Sequence, residues 1–306
     1  MYLNLWQWYV LNVLTTYRDG FPNPATIGYR ILDQTTLNKY LSESKSFVTE
    51  RFGEIRPEIG IILGSGLGPF ADNIDLKQSI DTTEIPHYPA STVPGHTGRL
   101  VYGSLDGIEL LALQGRVHTY EGYEQWQVTY PARLLGALGI KSLIVTNSSG
   151  ASNPEYEPGN FMLIEDHLNY LFREPLEPWE RNGKNVNSPY DQEYIRLAKE
   201  VSKRTGIHLE VGVLSANLGP SYETPAEVNF QRKMGSDSAS MSTLPEVTVA
   251  HYLGIKVLGL SVLTNYAAGL NKVPLSHEEV TDMAEAVAEK FSNLVTEIIK
   301  EISSRN

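Results

Sequence analysis

The chain has 306 residues, no cysteine, and 25 Lys and Arg against 36 Asp and Glu, a formal net charge of −11. Lack of cysteine excludes disulfides, thiolate catalysis and Cys-based zinc or iron–sulfur sites. The acidic balance, with no run of five basic residues, makes nucleic acid and anionic membranes poor partners, because phosphate backbones demand a positive footprint.

The first fourteen residues, with Trp6 and Trp8, are apolar but broken by Asn4, Gln7 and Asn12. They carry no positive start and no small-residue cleavage site, and are too short to span a bilayer. An amphipathic helix or mobile extension is expected there, ending at Gly20-Phe-Pro-Asn-Pro-Ala25. Leu37, Tyr40, Leu41, Phe47, Val48 and Phe52 predict a helix from about Thr36 to Phe52, capped by Thr35 or Thr36. Ile59–Leu63 reads as a buried strand running into Gly64-Ser-Gly-Leu-Gly68, which opens a helix. Arg99–Gln114 reads as a hairpin turning at Asp106-Gly107. A helix is expected over Gln125–Leu138. Buried strands are expected at Ser142–Thr146, Phe161–Ile164, Val211–Ala216 and Lys256–Leu263. Helices are expected at about Asp191–Arg204, Pro225–Lys233 and Pro245–Leu253, and one long helix over Ser276–Ile302 closes the chain.

Strands alternating with helices predict a single α/β domain: a central mixed, mostly parallel sheet flanked by helices. Its span is 35–306, with 1–34 as an N-terminal extension, and deletion of residues 1–30 is expected to leave activity intact. In such sheets ligands bind at the carboxyl ends of strands. That rule selects Gly64–Gly68, Asn147–Gly150, Gly219–Thr224 and Thr264-Asn265.

Several of these segments suit an anionic or planar ligand. Gly64–Gly68 lets backbone amides approach an anion, though a tight strand-to-helix turn explains it equally. It is neither a Walker loop nor a dinucleotide fingerprint. Arg116, His118 and Tyr120 alternate, so extended backbone would point all three to one side. His96 lies in a Gly-bounded loop. Tyr222-Glu223 sets an aromatic ring beside a carboxylate, ready to stack on and hydrogen-bond to a heterocycle, while Thr224 caps the helix begun by Pro225. Ser242 and Thr243 are candidate caps and anion ligands. Asn265 can donate and accept at once. Asp166-His167 invites a metal or triad reading, but no Gly-x-Ser-x-Gly elbow and no His-x-x-x-His pair exists; no metal is expected.

Taken in order, Gly64-Ser-Gly-Leu-Gly, Ser91-Thr-Val-Pro-Gly-His, Gln114-Gly-Arg-Val-His-Thr-Tyr-Glu-Gly, Gly219-Pro-Ser-Tyr-Glu-Thr, Met241-Ser-Thr-Leu-Pro-Glu and Thr264-Asn resemble the trimeric purine nucleoside phosphorylases from about Leu37 to Ile302. The resemblance implies the nucleoside phosphorylase fold, a homotrimer and a cytoplasmic salvage enzyme. In its reaction inorganic phosphate attacks the anomeric carbon of a purine nucleoside with inversion, releasing base and pentose 1-phosphate. No cofactor is implied; phosphate is a co-substrate. Asn265, Glu223 and His118 would be catalytic. Phosphate would meet Ser65, Arg116, His118, Ser242 and the Ser148 amide, with His96 closing over it. Tyr120 and Met241 would contact the ribose and His277 its 5′-hydroxyl. Tyr222 would stack on the base, Glu223 would hold its N1 edge and Asn265 its N7 and O6. Asn at 265 implies inosine and guanosine over adenosine.

The chain departs from that family at Ser148, Ser149, Ala151 and Ser240, where Ala, Ala, Gly and Gly are usual. A positive φ at 240 would strain a serine. Between His167 and Tyr190 it is shorter than usual, and Phe172 or Trp179 stands for the ring normally sent into a neighbour's ribose site. Two other readings are a methylthioadenosine-type phosphorylase, opposed by His277 and Asn265, and a catalytically impaired nucleoside-binding relative, opposed by Arg116, His118, Glu223 and Asn265.

Overall fold

The computed structural model describes residues 32–93, 95–180, 188–270 and 277–305, without the side chains of His277 and Glu278. The expectations for Trp6, Trp8 and the rest of residues 1–31 lie outside the described residues. From Asp33 onward the chain is one compact unit.

Helix α1, Gln34–Phe52, starts two residues earlier than its apolar pattern suggests. Its N-cap is Asp33, not Thr35 or Thr36. The Asp33 carboxylate accepts from the Thr36 amide (2.9 Å) and hydroxyl (2.6 Å), satisfying donors that a helix start leaves bare. Strand β1, Ile59–Leu63, is buried throughout. It pairs in parallel with β4 (Ile108–Gln114) on one side and β5 (Ser142–Ala151) on the other. β3 (Arg99–Leu105) turns into β4 at Asp106-Gly107, where both residues have positive φ (49° and 83°), the backbone a tight hairpin needs. β2, Asp75–Asp81, adds an outer strand to β3.

The expected helix over 125–138 is two, α2 (Gln125–Val128) and α3 (Tyr130–Ala137), parted at Thr129, with Pro131 at the start of the second. α4 (Gln192–Thr205) and α5 (Pro225–Lys233) fall where expected. β6 spans Phe161–Tyr170, so Asp166 and His167 lie within the strand rather than after it. β7 (Leu209–Asn217), the short β8 (Ser238–Ser240), α6 (Leu244–Tyr252) and β9 (Lys256–Tyr266) follow. The predicted long C-terminal helix breaks at Val287 (φ −104°, ψ 3°) into α7 (His277–Ala286) and α8 (Ala288–Ser303). α8 buries Phe291, Leu294, Val295, Ile298, Ile299 and Ile302, the stripe of an amphipathic helix.

The sheet runs β2-β3-β4-β1-β5-β8-β7-β6-β9, and β9 returns to pair with β5. Five strands therefore close on themselves, and β1, β4, β3 and β2 form a wing beside them. Five of the nine pairings are parallel. The parallel strands β1, β4, β5 and β9 end at Leu63, Gln114, Ala151 and Tyr266, beside the segments the motifs single out. Among the described residues no helix is long and apolar enough to cross a membrane.

Candidate active site

At these strand ends lies a cavity of about 440 Å³ whose wall includes Ser65, Arg116, His118, Ser242, Tyr222, Glu223 and Asn265. Tyr120, Met241, Ser148 and Ser240 also face it.

Ser65 reaches the cavity because glycines let β1 and β5 end in contact. A Cβ on Gly64 would sit 2.8 Å from the Thr146 carbonyl oxygen and 2.9 Å from Asn147 Cα. The Gly64 stretch does not open an α-helix; a 3₁₀ turn, Gly68–Asn73, follows it. Ser65 Oγ meets His96 Nε2 at 3.2 Å, and His96 Nδ1 accepts from the Arg116 amide at 3.0 Å. That second bond leaves the imidazole proton on Nε2, turned to Ser65.

Arg116 and His118 follow β4, while Tyr120 sits in a 3₁₀ turn, Thr119–Glu121, rather than on extended chain. All three nonetheless face the cavity, and the rings of His118 and Tyr120 stack at 4.8 Å. The guanidinium of Arg116 is buried. Nη1 donates to Ser242 Oγ (2.8 Å) and Thr243 Oγ1 (3.3 Å), Nη2 donates to the Thr146 carbonyl (2.7 Å), and Nε lies 3.1 Å from Glu246 Oε1. Burial pulls its pKa down and the Glu246 carboxylate pulls it back up.

His118 is held by Glu121, whose Oε1 accepts from the His118 amide (2.6 Å) and meets Nδ1 (3.1 Å). The other oxygen accepts from the Thr92 amide and hydroxyl (2.6 and 2.7 Å). Burial pushes the Glu121 carboxyl up, but these bonds from His118 and Thr92 outweigh it and hold the pKa at about 2.

The departures at 148 and 240 fit without strain. Ser148 Oγ donates to the Ser65 carbonyl (2.8 Å) and Ser240 Oγ to the Ser148 carbonyl (3.0 Å). Positive φ falls on Thr243 (78°), not on Ser240.

Gly219, with φ 71°, is closely packed: a Cβ there would sit 2.5 Å from Met241 Sδ and 2.9 Å from Tyr120 Cδ1. Thr224 caps α5, as the sequence predicts, accepting from the Glu227 amide at 3.3 Å. Just before it, Glu223 is half-buried, and burial raises its pKa above the ordinary carboxylate range. Asn265 Oδ1 accepts from the Thr264 hydroxyl (2.9 Å) and Nδ2 donates to the Tyr266 carbonyl (2.9 Å). His277 opens α7, and its side chain lies outside the described residues.

Asp166 and His167 take no part in this cavity. His167 Nδ1 meets the Tyr190 hydroxyl at 3.1 Å, and burial lowers its pKa to about 4. Among the described residues no group of three or more His, Asp or Glu could hold a metal. Trp179 lines a different cavity, beside α1 and α3, while Phe172 is 82% exposed. Glu121 and Glu246 are the side chains whose part the sequence reading missed, and Thr243, a candidate cap and anion ligand, instead accepts from Arg116. Thr243-x-x-Glu246 carries the spacing of a capping box, which gives no hint that both side chains turn to Arg116 instead.

The chain resembles known proteins over most of its length. Residues 58–300 match the family described as "Phosphorylase superfamily". The chain is 44% identical over 264 residues to "Purine nucleoside phosphorylase 1" of Bacillus subtilis, covering 85% of this chain and 97% of that protein. It is 38% identical to "Purine nucleoside phosphorylase" of Bos taurus, covering 81% and 90%. Among solved structures, a schistosoma purine nucleoside phosphorylase in complex with hypoxanthine superposes with a TM-score of 0.78 at 34% identity, covering 85% of this chain and 96% of that one. The Schistosoma mansoni enzyme in complex with adenosine gives 0.77 at 34%, covering 87% and 97%.

Proposed function

The chain belongs to the phosphorylase superfamily and, within it, to the purine nucleoside phosphorylases, and from that premise we propose that its cavity splits 6-oxopurine nucleosides such as inosine and guanosine with inorganic phosphate. One observation carries the assignment: a single cavity wall holds a buried guanidinium with hydroxyls and imidazole, and also a carboxylate, a carboxamide and an aromatic ring.

The first set suits phosphate. Ser65, Arg116, His118 and Ser242 supply side-chain donors, with the Ser148 amide and His96 beside them. The second set suits the base. Tyr222 offers a ring to stack on, Glu223 an acceptor for the N1 hydrogen of a 6-oxopurine, and Asn265 an acceptor and a donor for N7–H and O6. Tyr120 and Met241, both beside Gly219, contact the ribose, and its 5′-hydroxyl falls to His277.

A phosphate oxygen then forms a bond to the anomeric carbon from the face opposite the base. The carbon–N9 bond breaks and its electron pair moves into the purine, where the Asn265 amide donor stabilises the charge and Glu223 holds the N1 hydrogen in place, until a proton from water settles on nitrogen. Holding the two reactants in line, and stabilising the negative charge of the phosphate at one end and of the departing base at the other, is the whole of the protein's task. The products are free base and pentose 1-phosphate with inverted configuration. Phosphate is the co-substrate, and this chemistry calls on no cofactor. A homotrimer in the cytoplasm is part of the same reading, and the 82% exposure of Phe172 supports its covering a neighbour's ribose site.

The test is release of free base from inosine, guanosine, adenosine and methylthioadenosine, each with and without phosphate. Phosphate-dependent release of hypoxanthine and guanine is the expected result. Turnover of methylthioadenosine alone, or base binding without turnover, overturns it.

A further inference from the structure

Glu246 occupies the third position of α6, where a Thr-x-x-Glu spacing ordinarily closes a capping box with Thr243. Neither residue caps. Thr243 Oγ1 accepts from Arg116 Nη1 (3.3 Å) and Asn147 Nδ2 (2.7 Å), and Thr243 makes no side-chain bond to the helix amides. Its φ of 78° is a left-handed conformation that β-branched residues avoid. Strain of this kind persists where surroundings over-determine it, commonly at functional sites.

Glu246 is 1% exposed, and its Oε1 lies 3.1 Å from Arg116 Nε. Among the described residues neither carboxylate oxygen accepts a hydrogen bond, and Nε has no hydrogen-bond partner. The two groups therefore meet as charges and not through an aligned hydrogen bond. Of the five guanidinium hydrogens, Nη1 commits both to Ser242 and Thr243 and Nη2 commits one to Thr146. One Nη2 hydrogen remains for an anion, and the Ser242 hydroxyl, whose contacts to Ser240 Oγ (3.5 Å) and Thr243 Oγ1 (3.4 Å) are long, can turn to it.

We propose that Glu246 is a positioning residue that acts as the resident counter-charge of Arg116 and holds phosphate affinity down. Without an anion in the cavity it balances a buried guanidinium that would otherwise stand alone. With one present it opposes the incoming dianion across the same guanidinium. The balance also serves turnover, because pentose 1-phosphate carries the same dianionic group and must leave. The inference rests on Arg116 belonging to the phosphate site.

The experiment compares Glu246→Gln, which keeps the shape and loses the charge, with Glu246→Asp, which keeps the charge. Removing one buried negative charge near the bound dianion is expected to lower the phosphate KM of Glu246→Gln about tenfold. The inhibition constant of ribose 1-phosphate should fall with it, while the inosine KM stays at the wild-type value. Glu246→Asp should show no such fall. A phosphate KM in Glu246→Gln equal to or above wild type, or a parallel fall in Glu246→Asp or in the inosine KM, overturns the proposal. Thermal unfolding gives a second reading if Glu246→Gln is poorly folded: added phosphate should raise its Tm more than it raises that of the wild type, at matched ionic strength. An equal or smaller rise contradicts the proposal. Arg116→Ala separates this inference from the reading beneath it. Its phosphate KM should rise about tenfold or more; an unmoved value would remove Arg116 from the phosphate site and the inference with it.

Discussion

Thr264 turns its hydroxyl to the side-chain oxygen of Asn265 at 2.9 Å, with the Ser149 carbonyl a longer second acceptor at 3.3 Å, and the shorter bond orients the carboxamide. Nδ2 is committed in turn to the Tyr266 carbonyl. Each end of the amide keeps one further bond to give, an acceptor at Oδ1 and a donor at Nδ2. That pair matches a protonated N7 beside a 6-oxo group. It mismatches a 6-amino group, whose hydrogens would face the Nδ2 hydrogens.

Asn265→Asp should therefore shift preference toward adenosine. A lost or mispaired buried hydrogen bond costs about 1–3 kcal/mol, so the inosine-to-adenosine ratio of kcat/KM should drop about tenfold or more. Steady-state kinetics on both nucleosides measures it, and an unchanged ratio removes Asn265 from base recognition.

Glu223 is expected to set the acid limit of turnover. Burial raises its pKa, so it takes up a proton at a higher pH than an ordinary carboxylate. The protonated form no longer accepts the N1 hydrogen of the base. Activity on inosine should fall as pH drops through that raised pKa, earlier than an exposed glutamate would allow. Glu223→Gln should lose about 10²-fold in kcat/KM, in the range typical of a positioned polar group, and its profile should lack this acid limb. A pH–rate profile that keeps the limb in the variant would assign it to another group.

Glu121 gives the opposite sign. Its pKa is held down at about 2 against an ordinary 4.5. A carboxylate depressed in the folded state stabilises the fold fully above its unfolded value, and that stability is lost as pH falls through the folded one. The loss should therefore run between about 4.5 and about 2. Glu121→Gln should lower Tm at neutral pH and flatten the Tm–pH curve across that window. It should also raise the phosphate KM, because Glu121 ties His118 to Thr92, four residues before His96. A Tm–pH curve as steep as wild type would show that the stability resides elsewhere.

Gly64→Ala tests the close approach on which the cavity is built. Its Cβ would lie 2.8 and 2.9 Å from the backbone of Thr146 and Asn147. Overpacking against backbone costs about 1–3 kcal/mol, read as a lower urea midpoint with unchanged slope. A midpoint equal to wild type would show that β1 and β5 can separate without cost.

The strands that carry the site were legible because each is a short apolar run ending in glycine or a small polar residue. β2 was not: Asp75, Leu76, Lys77, Gln78 and Ser79 are exposed on an edge strand, so no alternation marks it. β6 continues past Ile164 through a bulge into Glu165, Asp166 and His167, and its polar second half reads as loop. The break at Val287 was hidden because apolar spacing runs through it from Ala284 to Phe291. In the site, residues flanked by glycine stood out, whereas Glu246 was masked by a spacing that normally serves a helix cap.

Inorganic phosphate is the nucleophile we assign to this cavity. Phosphorus NMR of the protein with inosine and phosphate tests it most directly. One ribose 1-phosphate should form for each hypoxanthine released, with no release when phosphate is omitted. Hypoxanthine appearing with free ribose, or at the same rate without phosphate, would contradict it.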